Sequence, residues 1–172
     1  NGYGNLTACQ TTAYKIIVFY ATGSATNAVR VGNLSSGTIT WGTAVAVDSV
    51  SGGAWIGDNE IECDVNTPNK VLLAWSREVS SDAMRVVVGT LSSTDTITLG
   101  THVIAKSGNA MMRIQDLVRD PNNAGRFFSI FNHSSASPTE EIFIVGHQVA
   151  STASSTNLTT TNFIGTSTAA YA

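Results

Sequence analysis

Apolar residues arrive along this chain in short runs of four to six, and the positions around them alternate with polar ones. The pattern is plainest in Thr38-Ile39-Thr40-Trp41-Gly42-Thr43 and again in Thr96-Ile97-Thr98-Leu99-Gly100-Thr101. A period of two places Ile39 and Trp41 on one face of a strand and the threonines on the other. The glycine that ends each run predicts a bend or bulge in place of a continued ladder. A strand and bend written twice points to an internal repeat.

Other markers agree. Lys15-Ile16-Ile17-Val18-Phe19-Tyr20, Lys70-Val71-Leu72-Leu73-Ala74-Trp75 and Arg126-Phe127-Phe128-Ser129-Ile130-Phe131 each open with a cation and run into apolar residues, with starts 55 and 56 residues apart. The next strands end at Gly32, Gly89 and Gly146, spaced 57 residues each time. Val, Ile, Thr and aromatics dominate the runs, which is strand chemistry. The fold expected is all-β, with about three four-stranded antiparallel repeats of ~56 residues. Units cover 13–66, 67–123 and 124–150, and the Ser/Thr-rich segment 151–172 is read as the exit from the array. Four short strands per unit of this size suggest β-propeller blades. Three units are too few to close a ring that typically needs four to eight, so the reading is an incomplete propeller, with an open stack or prism as the alternative.

Two local signals compete with the repeat. Ala110, Met111, Ile114, Leu117 and Val118 fall near helical spacing, yet the matching stretch Ala54–Asp64 does not, so both are read as strands. Cys9 lies six residues before Lys15 and Cys63 seven before Lys70. As equivalent positions in successive units they should stand a blade-width apart, beyond the ~7 Å Cα limit for a disulfide. Two buried free thiols are expected.

Composition narrows the function. Charged residues make up 12% of the chain and the formal net charge is −3. The nine Lys and Arg are scattered, so nucleic-acid binding has no electrostatic footprint. No apolar run approaches the ~20 residues of a membrane helix. The sequence begins at Asn1 without a methionine or a signal peptide, as a processed chain or a piece of a longer one would.

The order of these motifs carries a resemblance. A Lys-Val-Val-like strand, an apolar strand ending Val-Gly-Thr, a turn and then Thr-Ile-Thr-x-Gly-Thr resemble the tandem repeats of tailed-bacteriophage tail-fibre and virion structural proteins. The matching residues are Lys15–Tyr20, Val29–Thr43, Lys70–Trp75, Met84–Thr101 and Arg126–Phe131. Leu158–Gly165 adds the Asn-Phe-Ile-Gly that often follows such arrays. Two departures stand out: Asn66-Thr67-Pro68-Asn69-Lys70 lacks the family's turn glycine, and the third unit lacks Thr-Ile-Thr-x-Gly-Thr. The resemblance implies a non-enzymatic virion component in the tail, extracellular, with other virion subunits, further copies or a longer parent chain as partners. Shallow adhesion to host glycans would be its binding activity. A secreted or cell-surface propeller lectin or filament subunit is the alternative, and a carbohydrate-active enzyme a third reading.

No catalytic set and no cofactor site emerge. His102, His133 and His147 sit in unrelated contexts without zinc-site spacing and are read as surface or strand-end residues. Asp58, Glu60, Glu62 and Asp64 would alternate onto one strand face, as a solvated outer edge or a place to gather Ca²⁺ or a sugar hydroxyl. They lack the loop of a dedicated calcium site. Glu62 and Asp64 are the carboxylates a glycosidase reading would need. Trp41 and Trp75 are expected between blades, whereas Trp55, after Gly52-Gly53, is the best exposed aromatic for stacking on sugar. The candidate binding residues are therefore Trp55, Asp58, Glu60 and Glu62. The four sequons, at Asn5, Asn33, Asn132 and Asn157, are close to the roughly three that composition would produce by chance.

Overall fold

The computed structural model describes residues 6–11, 14–23, 26–49, 55–64, 66–67, 69–79, 82–107, 112–134, 139–149 and 158–170. Every regular element among them is a strand. These are β1 (Thr7–Gln10), β2 (Lys15–Gly23), β3 (Thr26–Ser35), β4 (Thr38–Trp41), β5 (Val45–Ser49), β6 (Trp55–Asp64) and β7 (Lys70–Val79). The chain continues through β8 (Asp82–Leu91), β9 (Ile97–Leu99), β10 (Val103–Ser107), β11 (Met112–Arg119), β12 (Arg126–Ser134), β13 (Thr139–Val149) and β14 (Leu158–Ala170). They form three antiparallel sheets of similar size, β1–β5, β6–β10 and β11–β14, that do not close into a ring.

The Gly-Thr breaks behave as expected. β4 and β5 both pair with β3, and the Gly42 amide between them donates to the Val31 carbonyl at 2.8 Å. β9 and β10 repeat this on β8, with Gly100 donating to Val88 at 2.9 Å. Each pair is one edge strand bent at its glycine. The hairpin that precedes β4 turns through Ser36 and Gly37, both at positive φ (49° and 79°), as a two-residue type I′ loop requires.

Unit boundaries are one strand earlier than the basic starts suggest. β6 pairs with β7 and β11 with β12, so the strand before each cation belongs to the sheet that follows it. The 151–172 segment, expected to leave the array, contributes β14, which pairs with β13 and completes the third sheet. β11 is a strand, and its helix-like spacing has a cause. A register shift between Ile114 and Asp116 lets Ile114 and Leu117, three apart, both point inward.

The middle sheet organises the packing. Along β7 the side chains from Val71 to Trp75 are all fully buried. Val71, Leu73 and Trp75 join the apolar cluster shared with the first sheet, through Ile17, Phe19, Val29 and Val31. Leu72 and Ala74 join the cluster shared with the third sheet, through Phe127, Phe131, Val145 and Val149. A strand buried on both faces needs a continuous apolar run, which is what Lys70–Trp75 supplies after its cation. Lys70 is itself buried; its ammonium donates to Thr90 Oγ1 at 2.8 Å, and burial holds its pKa below the usual lysine range.

The expectation of two free thiols is overturned. Cys9 and Cys63 form a disulfide with Cα atoms 5.6 Å apart, joining β1 of the first sheet to β6 of the second. The reason lies in the one-residue difference in spacing. Cys9 pairs with Ile17, two after Lys15, whereas Cys63 pairs with Val71, one after Lys70. A slip of one residue moves a side chain to the opposite face. The two sulfurs therefore come from facing surfaces of adjacent sheets and meet across the junction.

Candidate functional site

On the face of the first sheet turned away from the second, Leu6, Val18, Tyr20, Arg30 and Trp41 line an open groove of about 380 Å³. Its geometry follows from the hairpin register. Trp41 pairs with Gly32, and a Cβ on Gly32 would stand 2.7 Å from Ile39 Cγ2 and 2.8 Å from the Trp41 ring. The missing side chain lets both apolar residues lie flat across β3. Arg30, two residues before Gly32, places its guanidinium 5.9 Å from the Trp41 ring centroid and donates from Nε to the Gly42 carbonyl at 2.6 Å. The groove thus presents an indole, a phenol and a guanidinium on an apolar floor. Trp41, expected between blades, is 39% exposed, because among the described residues no sheet covers this side of the array. Trp75 does lie between sheets, edge-on to Phe19 at 6.1 Å, with its indole N–H donating to Asp48 at 3.0 Å.

The predicted acidic residues lie elsewhere. A register shift between Gly57 and Asn59 leaves Asp58 as the bulged residue, at φ 39°. Past the bulge, Asn59, Ile61 and Cys63 turn toward the first sheet, while Glu60, Glu62 and Asp64 turn toward β11. The row is therefore a half-buried seam between the second and third sheets and not a solvated outer edge. Glu62 meets Arg119 at 3.4 Å. Burial raises the pKa of Asp58, against the pull of Arg113. Burial also raises that of Glu60, with Asp116 and Asp58 adding to it. Glu62 is raised by burial, opposed by Arg119 and aided by Asp116. Asp64 is fully engaged, accepting from the amides of Gly125 at 2.7 Å and Asn66 at 2.9 Å. Gly125 has φ 72°, and a Cβ there would stand 2.8 Å from the Val149 carbonyl, so this lock between sheets needs glycine. None of the four carboxylates lines the groove. The side chain of Trp55 lies outside the described residues, as do Asn5, Asn157 and the side chain of His133.

Two histidines read as surface or strand-end residues are partly or fully enclosed. His102 packs edge-on to Trp75 at 5.1 Å, and burial lowers its pKa. His147 is buried, shares a 2.7 Å hydrogen bond with Ser129 Oγ, and is lowered by burial to about 4, so it is neutral at pH 7. Among the described residues no group of three or more His, Cys, Asp or Glu is placed to hold a metal ion. No helix among them is long and apolar enough to cross a membrane. The groove was missed because alternation marks Trp41 as facing apolar surroundings; the signal that could have found it is Arg30, a cation on the same strand face two residues before Gly32.

In comparisons with known proteins, no family model, no curated protein and no solved structure matches the chain.

Proposed function

We propose that the chain is a structural subunit of an extracellular assembly, a tail or tail-fibre component of a tailed-bacteriophage virion in the reading its repeat resemblance implies. The observation that carries the structural role is the open array. Three sheets pack in series through two apolar junctions, and the row stops with an apolar, aromatic face uncovered at the first sheet. Isolated globular domains rarely leave such a patch without a partner. The Cys9–Cys63 bridge fits a protein that works in an oxidising environment. The experiment is mass spectrometry and immunogold labelling of purified particles from the source. The chain should be present at a fixed stoichiometry and label the tail; its absence from particles overturns the virion reading.

A second reading, a glycan-binding adhesin or lectin, draws on Trp41, Tyr20 and Arg30. An aromatic face beside a hydrogen-bonding cation suits the apolar side of a sugar ring with its hydroxyls. Saturable binding on a glycan array, abolished by Trp41→Ala, would select it.

A further inference from the structure

The two junctions inside the chain are the same interface made twice. In each case one face of a sheet, carried by the residues one, three and five after the basic start, packs on the opposite face of the preceding sheet. Val71, Leu73 and Trp75 pack on Ile17 and Phe19. Phe127 and Phe131, with Ser129 between them, pack on Leu72 and Ala74. Register confirms the equivalence. Ile17 pairs with Val31 and Phe19 with Val29, as Leu72 pairs with Val88 and Ala74 with Val86.

Each half of this interface occurs once more, with no sheet on it among the described residues. On the first sheet the forward half is Ile16, Val18 and Tyr20, paired with Gly32, Arg30 and Ala28, with Ile39 and Trp41 beside them. That is the groove face. On the third sheet the rear half is Phe128 and Ile130, paired with Gly146 and Ile144, with Val118 beside Phe128. Phe128, Ile130 and Ile144 are only half-buried and Val118 is exposed. The first sheet carries one member of a complementary pair and the third sheet the other.

Resting on the reading of this chain as a structural subunit, we propose that the outer face of the third sheet docks on the groove face of the first sheet of a second copy. Tyr20 holds the position of Trp75, and Ile130 that of Phe19, so the Phe19–Trp75 contact recurs as Ile130 against Tyr20 of the next copy. The interface is head-to-tail, which gives rings where the rotation closes and filaments where it does not. Two copies bring six sheets, inside the roughly four-to-eight range over which antiparallel blades close.

The disulfide supplies the test. Cys9 pairs with the residue two after the first cation, and Cys63 with the residue one after the second. The same two positions at the free faces are Val118, paired with Phe128, and Gln10, paired with Ile16. The full 172-residue chain carrying Gln10→Cys and Val118→Cys should therefore oxidise into disulfide-linked dimers joining the two substituted positions of different copies. Either substitution alone should not give that link, and the native bridge should persist in peptide maps.

Sedimentation velocity of the unsubstituted chain should show an oligomer, and Ile130→Arg, at a half-exposed site, should weaken association by at least about tenfold while circular dichroism stays unchanged. A chain that is monomeric at about 100 μM and forms no intermolecular link overturns the docking. So does a link from Val118 to Val118, which would signal a face-to-face dimer. A monomer that binds glycans through Trp41 overturns it in favour of the adhesin reading. If the chain associates and cross-links as described yet is missing from particles, the docking stands and the virion assignment falls.

Discussion

Ile39 and Ile97 hold the same place in two copies of one hairpin, opposite Leu34 and Leu91, yet Ile39 is 37% exposed and Ile97 4%. Trp41 and Leu99 repeat the contrast, opposite Gly32 and Gly89. The strand sequences and their pairing are nearly the same, although the second turn is one residue longer. What differs is the neighbour: the second sheet lays this face on the first, and among the described residues the first sheet has no sheet on which to lay its own. The alternation of apolar and polar residues specifies a face to be covered. Whether it is covered depends on the position of the sheet in the row. The third sheet shows the alternative solution. Where the other two have glycine opposite the residue after the cation, it has His147, opposite Phe127, and no Thr-Ile-Thr hairpin to lie across it.

Four measurements bear on the contrast between covered and open faces. The largest effect belongs to the bridge that ties the first junction and is absent from the second. In the chain-entropy account, removing a crosslink that spans 54 residues costs about 4 kcal/mol. Cys9→Ser with Cys63→Ser should lower stability by that order in urea melts, and should release the first sheet before the second and third in hydrogen exchange. Next is the buried isoleucine. Ile97→Ala should cost about 3 kcal/mol, while Ile39→Ala should cost under about 1 kcal/mol in the isolated chain. Equal costs would mean the first face is covered in solution.

The third test is pH. His147 is neutral in the fold with a pKa near 4, below its ordinary 6.5. Its contribution is thus fully present above pH 6.5 and is lost as pH falls toward 4, by up to about 3 kcal/mol. Stability measured from pH 7 to 4 should fall in that window, and His147→Gln should flatten this part of the curve. The seam carboxylates Asp58, Glu60 and Glu62 act with the opposite sign, since their raised pKa values favour the fold at lower pH. The smallest effect separates the glycines. Gly89→Ala drives a methyl to 2.9 Å from Val71 Cγ2 in a closed core and should cost about 2 kcal/mol. Gly32→Ala meets side chains free to swing outward and should cost less, while displacing Trp41 from the groove.

Much of the fold was legible. The apolar runs, the bends at Gly42 and Gly100, and the repeat itself all follow from alternation and spacing. The strand reading of this stretch holds over Met112–Arg119 for a reason periodicity hides, since the bulge at Ile114–Asp116 imitates helical spacing. The candidate site was less legible. Asp58, Glu60 and Glu62 were recognisable as a row, but a row of carboxylates looks the same on an open edge and in a seam between sheets. Trp41 and Trp75 were given one environment because their strand contexts match, and only one of them has a sheet in front of it.

Strands, turns, register signals and a threefold repeat could be read from the chain, because these depend on residues a few positions apart or on simple spacing. Packing between distant segments settles which sheet each strand joins, that Cys9 and Cys63 meet, and that among the described residues no sheet lies on the outer faces of the first and third sheets. Those outcomes depend on surfaces about 55 residues apart in the chain being brought together, where a one-residue offset changes which face a side chain occupies.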